Sequence, residues 1–140
     1  MGNIHLSLVQ TVPLDGAVII STPQEVALAD ARRGVNMFKL DTLKVPVIGI
    51  VENMAWFTPA ELPENKYYIF GRDGAKNLAE GMNVPFLGAI PLVQSVREAG
   101  DSGRPAVFQE NTPIALAFDE LVRNFVKELK VIQSKKAELV

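Results

Sequence analysis

The chain has 140 residues, 48% hydrophobic and 21% charged, with a net charge of −2. That balance excludes an intrinsically disordered chain, and the length suits one compact unit with a core of its own. It contains no Cys and one His, which removes disulfide frameworks, thiolate nucleophiles and cysteine-ligated metal centres. The 14 basic and 16 acidic residues leave no polybasic footprint for nucleic acid. No apolar run approaches the ~20 residues of a membrane span. The opening Met1-Gly2-Asn3-Ile4-His5 lacks the charged and apolar regions of a secretory signal. Expectation therefore falls on a cytoplasmic protein that binds neither membrane nor nucleic acid.

Along the chain, Asn3 is placed to cap a short helix carrying Ile4, Leu8 and Val9. A first apolar run follows at Gly16–Ser21, a second at Val45–Val51 and a third at Val84–Ile90. None alternates apolar with polar residues, the pattern of strands buried on both faces in a parallel sheet. Between the first two, Thr22-Pro23-Gln24-Glu25 reads as a capping box with Pro at the first helical position. Leu28, Ala31, Val35 and Phe38 then share one helix face. Gly71-Arg72-Asp73-Gly74 leads into a shorter helix ending near Gly81, with Ala75, Leu78 and Ala79 inward. Thr112-Pro113 opens a last helix, 112–136, striped by Ile114, Phe118, Leu121, Phe125, Leu129 and Ile132. Lys135 and Lys136 suit its carboxyl end through the helix dipole.

Alternation of this kind predicts an α/β fold with right-handed crossovers between parallel strands. Ligands bind such sheets outside the carboxyl ends of the strands. Here those ends are Ser21-Thr22-Pro23, Glu52-Asn53-Met54 and Pro91-Leu92-Val93-Gln94. The Asn53 carboxamide carries a donor and an acceptor side by side, which match the N6 and N7 edge of adenine. The competing reading makes Asn53 an ordinary turn residue after a strand. Residues 52–70 hold Trp56, Phe57, Tyr67, Tyr68 and Phe70, and Pro59 and Pro63 argue against regular structure between the two prolines. This stretch reads either as an irregular loop pinned to the domain's own surface or as an interface anchored by aromatics. No Gly-x-x-x-x-Gly-Lys-Ser/Thr and no Ser/His/Asp set occurs, so no phosphate cradle and no nucleophilic relay is encoded here.

Val51-Glu52-Asn53-Met54 after a strand resembles the signature of Mrp-type ATPases, the ParA/MinD-like branch of deviant P-loop proteins. So do Asp15–Leu28 and Arg97–Pro105, in the same order. The resemblance spans about Gly2 to Lys130 and implies a three-layer α/β/α fold with a parallel sheet, a partial P-loop NTPase fold. By that resemblance residues 1–140 form the C-terminal portion of the ATPase domain, with the phosphate loop and switch I before Met1. It further implies ATP and Mg²⁺ in the full-length parent, a homodimer, and delivery of iron–sulfur clusters to apoprotein clients. Asn53 and Pro91 become the nucleotide-binding residues, Asn53 at the adenine edge and Pro91 along the base. No catalytic residue and no metal ligand is expected within this chain. Two departures stand out: Asn3 where the family usually has Asp, and Val93 in place of an Asp after Pro91. Many relatives also carry Cys-x-x-Cys where this chain has Thr58-Pro59-Ala60-Glu61, so no cysteine-ligated cluster is expected here. Two rival readings stay open: a non-enzymatic dimerisation or interaction module, and a positioning ATPase of the ParA/MinD type.

Overall fold

The computed structural model describes residues 14–40, 42–93 and 112–138. Three strands form the main sheet: β1 (Ala17–Ser21), β2 (Val47–Glu52) and β4 (Phe86–Ala89), in the order β1-β2-β4 and all parallel. Two short strands, β3 (Phe57–Thr58) and β5 (Leu92–Val93), pair with each other in a second small sheet. The helices are α1 (Glu25–Phe38), α2 (Gly74–Met82) and α3 (Pro113–Glu138). The predicted first helix with Asn3, Ile4, Leu8 and Val9 lies outside the described residues, as do His5 and the 97–105 motif.

The sheet separates two cores, which makes the three layers. On one face Ile19 and Ile50 pack with Ala31 and Val35 of α1 and Leu78 and Ala79 of α2. On the other, Ile48, Val51 and Leu87 pack with Ile114 and the α3 stripe of Phe118, Leu121, Phe125, Leu129 and Ile132. Both predicted helix stripes therefore face the sheet. Ile48 and Ile50 are two residues apart on β2 and still serve opposite cores. A uniform strand would put them on one face. The register explains it: Ala17 and Val18 face Val47 and Gly49, so β2 holds one extra residue there, and such a bulge swaps the faces. Gly49 sits where a Cβ would approach the Leu87 side chain at 2.5 Å and the Pro85 carbonyl at 2.8 Å. Only a residue without a side chain allows β2 and β4 to close at that point.

Two local expectations change. The capping box at Thr22 does not close: α1 begins at Glu25, and Gln24 is the extended N-cap residue without a side-chain cap bond. The Thr22 hydroxyl instead donates to Gln24 Oε1 at 3.1 Å. Pro23 lies outside the helix, and its carbonyl packs against the turn at Gly71 and Gly74. The segment 52–70 is also not wholly irregular. Phe57 exchanges backbone hydrogen bonds with Tyr67 at 2.7 and 2.8 Å, and β3 runs alongside β5. Strands of two residues carry no periodicity, so nothing in the sequence pattern could mark them.

The last helix starts as expected. Thr112 accepts the Ala115 N–H on its hydroxyl at 3.2 Å, the N-cap arrangement, and Lys135 and Lys136 occupy the final turn. Asn124 on α3 donates to the Leu87 carbonyl at 2.7 Å, tying the helix to β4 by a polar contact as well as by apolar ones.

Candidate nucleotide edge

The carboxyl ends of β1, β2 and β4 meet at one rim of the sheet. The Asn53 N–H donates to the Ser21 carbonyl at 2.8 Å, extending the β1–β2 pairing by one residue. Beyond it the chain reverses, with Met54 in the left-handed region at φ 53°. The reversal is supported by Asn53 itself, whose Oδ1 accepts the Met54 N–H at 2.9 Å. So Asn53 does act as a turn residue. That leaves one Oδ1 lone pair and both Nδ2 hydrogens, and no partner for Nδ2 occurs among the described residues. The half-buried carboxamide thus keeps a donor and an acceptor for a ligand while holding the turn.

Pro91 is buried on the neighbouring connection, between β4 and β5. A backbone ladder stitches the two connections together: the Ile90 N–H donates to the Glu52 carbonyl at 2.8 Å and the Ala55 N–H to the Ile90 carbonyl at 3.0 Å. The Leu92 N–H then donates to the Trp56 carbonyl at 2.7 Å. Asn53 and Pro91, 38 positions apart in sequence, are brought onto adjacent loops by this ladder. Val93 lies on β5 opposite Thr58.

Glu52 is the functional group that sequence reasoning passed over. It ends a run of apolar residues and is 2% exposed. Its Oε1 accepts the Ala75 N–H at 2.9 Å, one of the donors that a helix leaves unsatisfied in its first turn. Asp73, the residue preceding α2, is left-handed and makes no side-chain cap bond. Glu52 takes over that task from the sheet. The signal was available: an acid closing an otherwise apolar strand needs a buried donor. Together with the contact of Pro23 on Gly74, the bond fixes the α2 amino end against the rim.

Burial pushes the Glu52 carboxyl above its ordinary value of 4.5, and nearby Asp73 adds to this. The Ala75 N–H and Lys76 pull the other way. An acid whose pKa rises on folding favours the folded state most below its unfolded value. That contribution is lost as the pH climbs through the folded value. Glu52→Gln keeps an acceptor for Ala75 without the charge. Its stability curve, measured by urea denaturation, should be flatter from pH 4.5 upward. A variant with the same slope as wild type would show that the carboxyl is not desolvated.

The aromatic segment beside this rim is partly open to solvent. Lys66 Nζ lies 4.3 Å from the Trp56 ring centroid, and the Arg72 guanidinium 4.6 Å from that of Tyr68. Leu62, Tyr67 and Ile69 are exposed. Among the described residues there is no cluster of His, Asp or Glu arranged to hold a metal ion, and no helix long and apolar enough to cross a membrane.

Comparison with known proteins places this geometry in context. The family model described as NUBPL iron-transfer P-loop NTPase, of the ParA group, matches residues 1–126. The iron-sulfur cluster transfer protein NUBPL of Dictyostelium discoideum is 46% identical over 134 residues, covering 95% of this chain and 41% of its own length. An iron-sulfur cluster carrier protein of Synechocystis is 48% identical over 109 residues, 78% of this chain and 30% of its own. A nucleotide-binding protein from Archaeoglobus fulgidus, solved in complex with ADP, superposes with a TM-score of 0.66 at 33% identity. That match covers 84% of this chain and 46% of the other. The cell division ATPase MinD of Pyrococcus furiosus shares the fold, with a TM-score of 0.59 at 22% identity, over 81% of this chain and 43% of its own. The chain spans less than half the length of these relatives.

Proposed function

Since the chain belongs to the ParA family of NUBPL iron-transfer P-loop NTPases, we propose that it supplies the adenine-binding half of an ATP-dependent iron–sulfur cluster carrier. The observation that carries this reading is the Asn53 Nδ2 at the strand rim, which has no partner among the described residues, beside the buried Pro91. Nδ2 donates to adenine N7, and the remaining Oδ1 lone pair accepts from N6. Pro91, buried on the adjacent connection, fixes the backbone that runs along the base. Glu52 acts one step removed, holding α2 and the rim in place through Ala75.

These 140 residues fit the base end of a nucleotide and not its phosphate end. They contain no Gly-x-x-x-x-Gly-Lys-Ser/Thr, the element whose backbone N–H groups and Lys hold phosphates. Mg²⁺ and phosphate contacts dominate nucleotide binding in P-loop proteins, so they fall to residues outside this chain. The cluster is cargo here. Without a Cys this chain offers no thiolate to ligate it, thiolates being the usual protein ligands. In this reading the whole protein works in the cytoplasm as a homodimer and passes clusters to apoprotein clients. The exposed Leu62, Tyr67 and Ile69 support an interaction surface beside the nucleotide edge, the feature shared with the reading as a pure interaction module.

The division of labour has a direct test. Titrated with Mg-ATP in a calorimeter, the 140-residue chain should give a dissociation constant no tighter than ~1 mM, the regime of about −4 kcal/mol, and no phosphate release. Micromolar affinity would show that the chain binds phosphates by itself and would overturn the reading.

A further inference from the structure

At the amino ends of β2 and β4, opposite the rim with Asn53 and Pro91, lies a groove of about 570 Å³. Its walls come from the carboxyl ends of α1 and α3 and from the connection that enters β2. Among the described residues, Lys39, Lys44, Lys135 and Lys136 line it against one acid, Glu128. The whole chain carries more acids than bases, 16 to 14, so the groove reverses the sign of the protein. Between the ammonium groups the lining is apolar, and two of its members, Leu40 and Val131, remain 52% and 41% exposed.

Helix stability accounts for part of this. Lys135 and Lys136 lie in the last turn of α3, where cations offset the helix dipole. Lys39 follows α1 and donates its Nζ to the Met82 carbonyl at 2.8 Å. Neither explanation reaches Lys44, which belongs to no helix, nor the exposed Leu40 and Val131. Lys44, Lys135 and Lys136 make no ion pair among the described residues.

We propose that this groove docks an acidic peptide segment of a partner protein, with aliphatic or aromatic side chains set between its carboxylates. Charge complementarity selects the acids: among the described residues four lysines line one cleft with a single carboxylate to offset them, and Lys44, Lys135 and Lys136 are without an ion pair there. The recess selects a peptide over a bilayer. A cleft of this volume is filled by inserted side chains, as ligand clefts of ~300–1,000 Å³ are, and its lysines line one groove together with apolar residues. The site stands at the far end of the strands from the nucleotide edge, so it does not depend on the reading of Asn53 and can be occupied together with it.

The test begins with random 12-residue peptides displayed on phage and selected on the intact chain. Enriched sequences should be net acidic and hold at least two large apolar residues. Synthesised with a fluorescein label, they should bind with an affinity that falls at least tenfold in the Lys44→Glu, Lys135→Glu, Lys136→Glu triple variant and also in Leu40→Glu. Lys127→Glu, an exposed α3 position outside the groove, should leave binding unchanged, and raising the salt should weaken it. Circular dichroism establishes that each variant is folded, and Leu40→Glu carries the test if the triple variant is not. The proposal is overturned if no peptide enriches, if enriched peptides are neutral or basic, or if they bind the variants as tightly as wild type. It is equally overturned if phosphatidylserine vesicles sediment the wild-type chain and not the variants, which would make the groove a membrane contact.

Discussion

Replacing Asn53 with Ala, in a protein that joins these residues to a phosphate-binding loop, should lower the preference for ATP over GTP by ~5- to 150-fold. That range corresponds to the ~1–3 kcal/mol of discrimination in a bidentate contact to a base edge. The amide pair matches the amino group and ring nitrogen of adenine and mismatches guanine, which presents O6 in place of N6. The substitution also removes the Oδ1 acceptor of the Met54 N–H, and the two consequences are separable. Losing the turn bond alone lowers stability and affects both nucleotides equally. Losing base readout changes their ratio. Competition binding of ATP against GTP, read beside a thermal melt, distinguishes them. An unchanged ratio with a lowered melting temperature would reduce Asn53 to a turn residue and remove the adenine site from this rim.

Leu87→Ala should destabilise the chain by ~2–5 kcal/mol, the range for emptying a fully buried leucine site. Leu87 has no exposed surface and lies where β4, β2 and α3 meet. The site is poorly able to collapse. The side chain closes over Gly49, while its own carbonyl is held by Asn124 from α3. At ~2–4 °C per kcal/mol for a domain of about this size, the melting temperature should fall by ~4–20 °C. A loss below ~1 kcal/mol, at the surface-substitution level, would mean that the α3 face of the sheet does not form the second core.

Much of the architecture was legible because burial on both faces of a strand and burial on one face of a helix leave different patterns. The apolar runs became the strands Ala17–Ser21, Val47–Glu52 and Phe86–Ala89, each within the predicted run apart from one residue at Glu52. The stripes on Glu25–Phe38 and Pro113–Glu138 face the sheet as their spacing requires. The chain motif around Asn53 likewise pointed to the family that the comparisons show.

What pattern could not carry were the properties that depend on a neighbour distant in sequence. The capping box at Thr22 satisfied every local rule and still opened, while the Pro23 carbonyl packs on Gly71 and Gly74 some fifty residues away. Ile48 and Ile50 were separated to opposite cores by a one-residue mismatch with β1. Glu52 fell just past the apolar run in sequence and proved to be the last residue of β2 and the acceptor for the first turn of α2. Sequence alone determined which residues are apolar, at what period they recur, and hence the elements and the family. Only the tertiary structure decided which polar group meets which. A buried carboxylate or carbonyl takes its role from whatever donor the fold delivers to it, and that delivery is a property of three-dimensional packing.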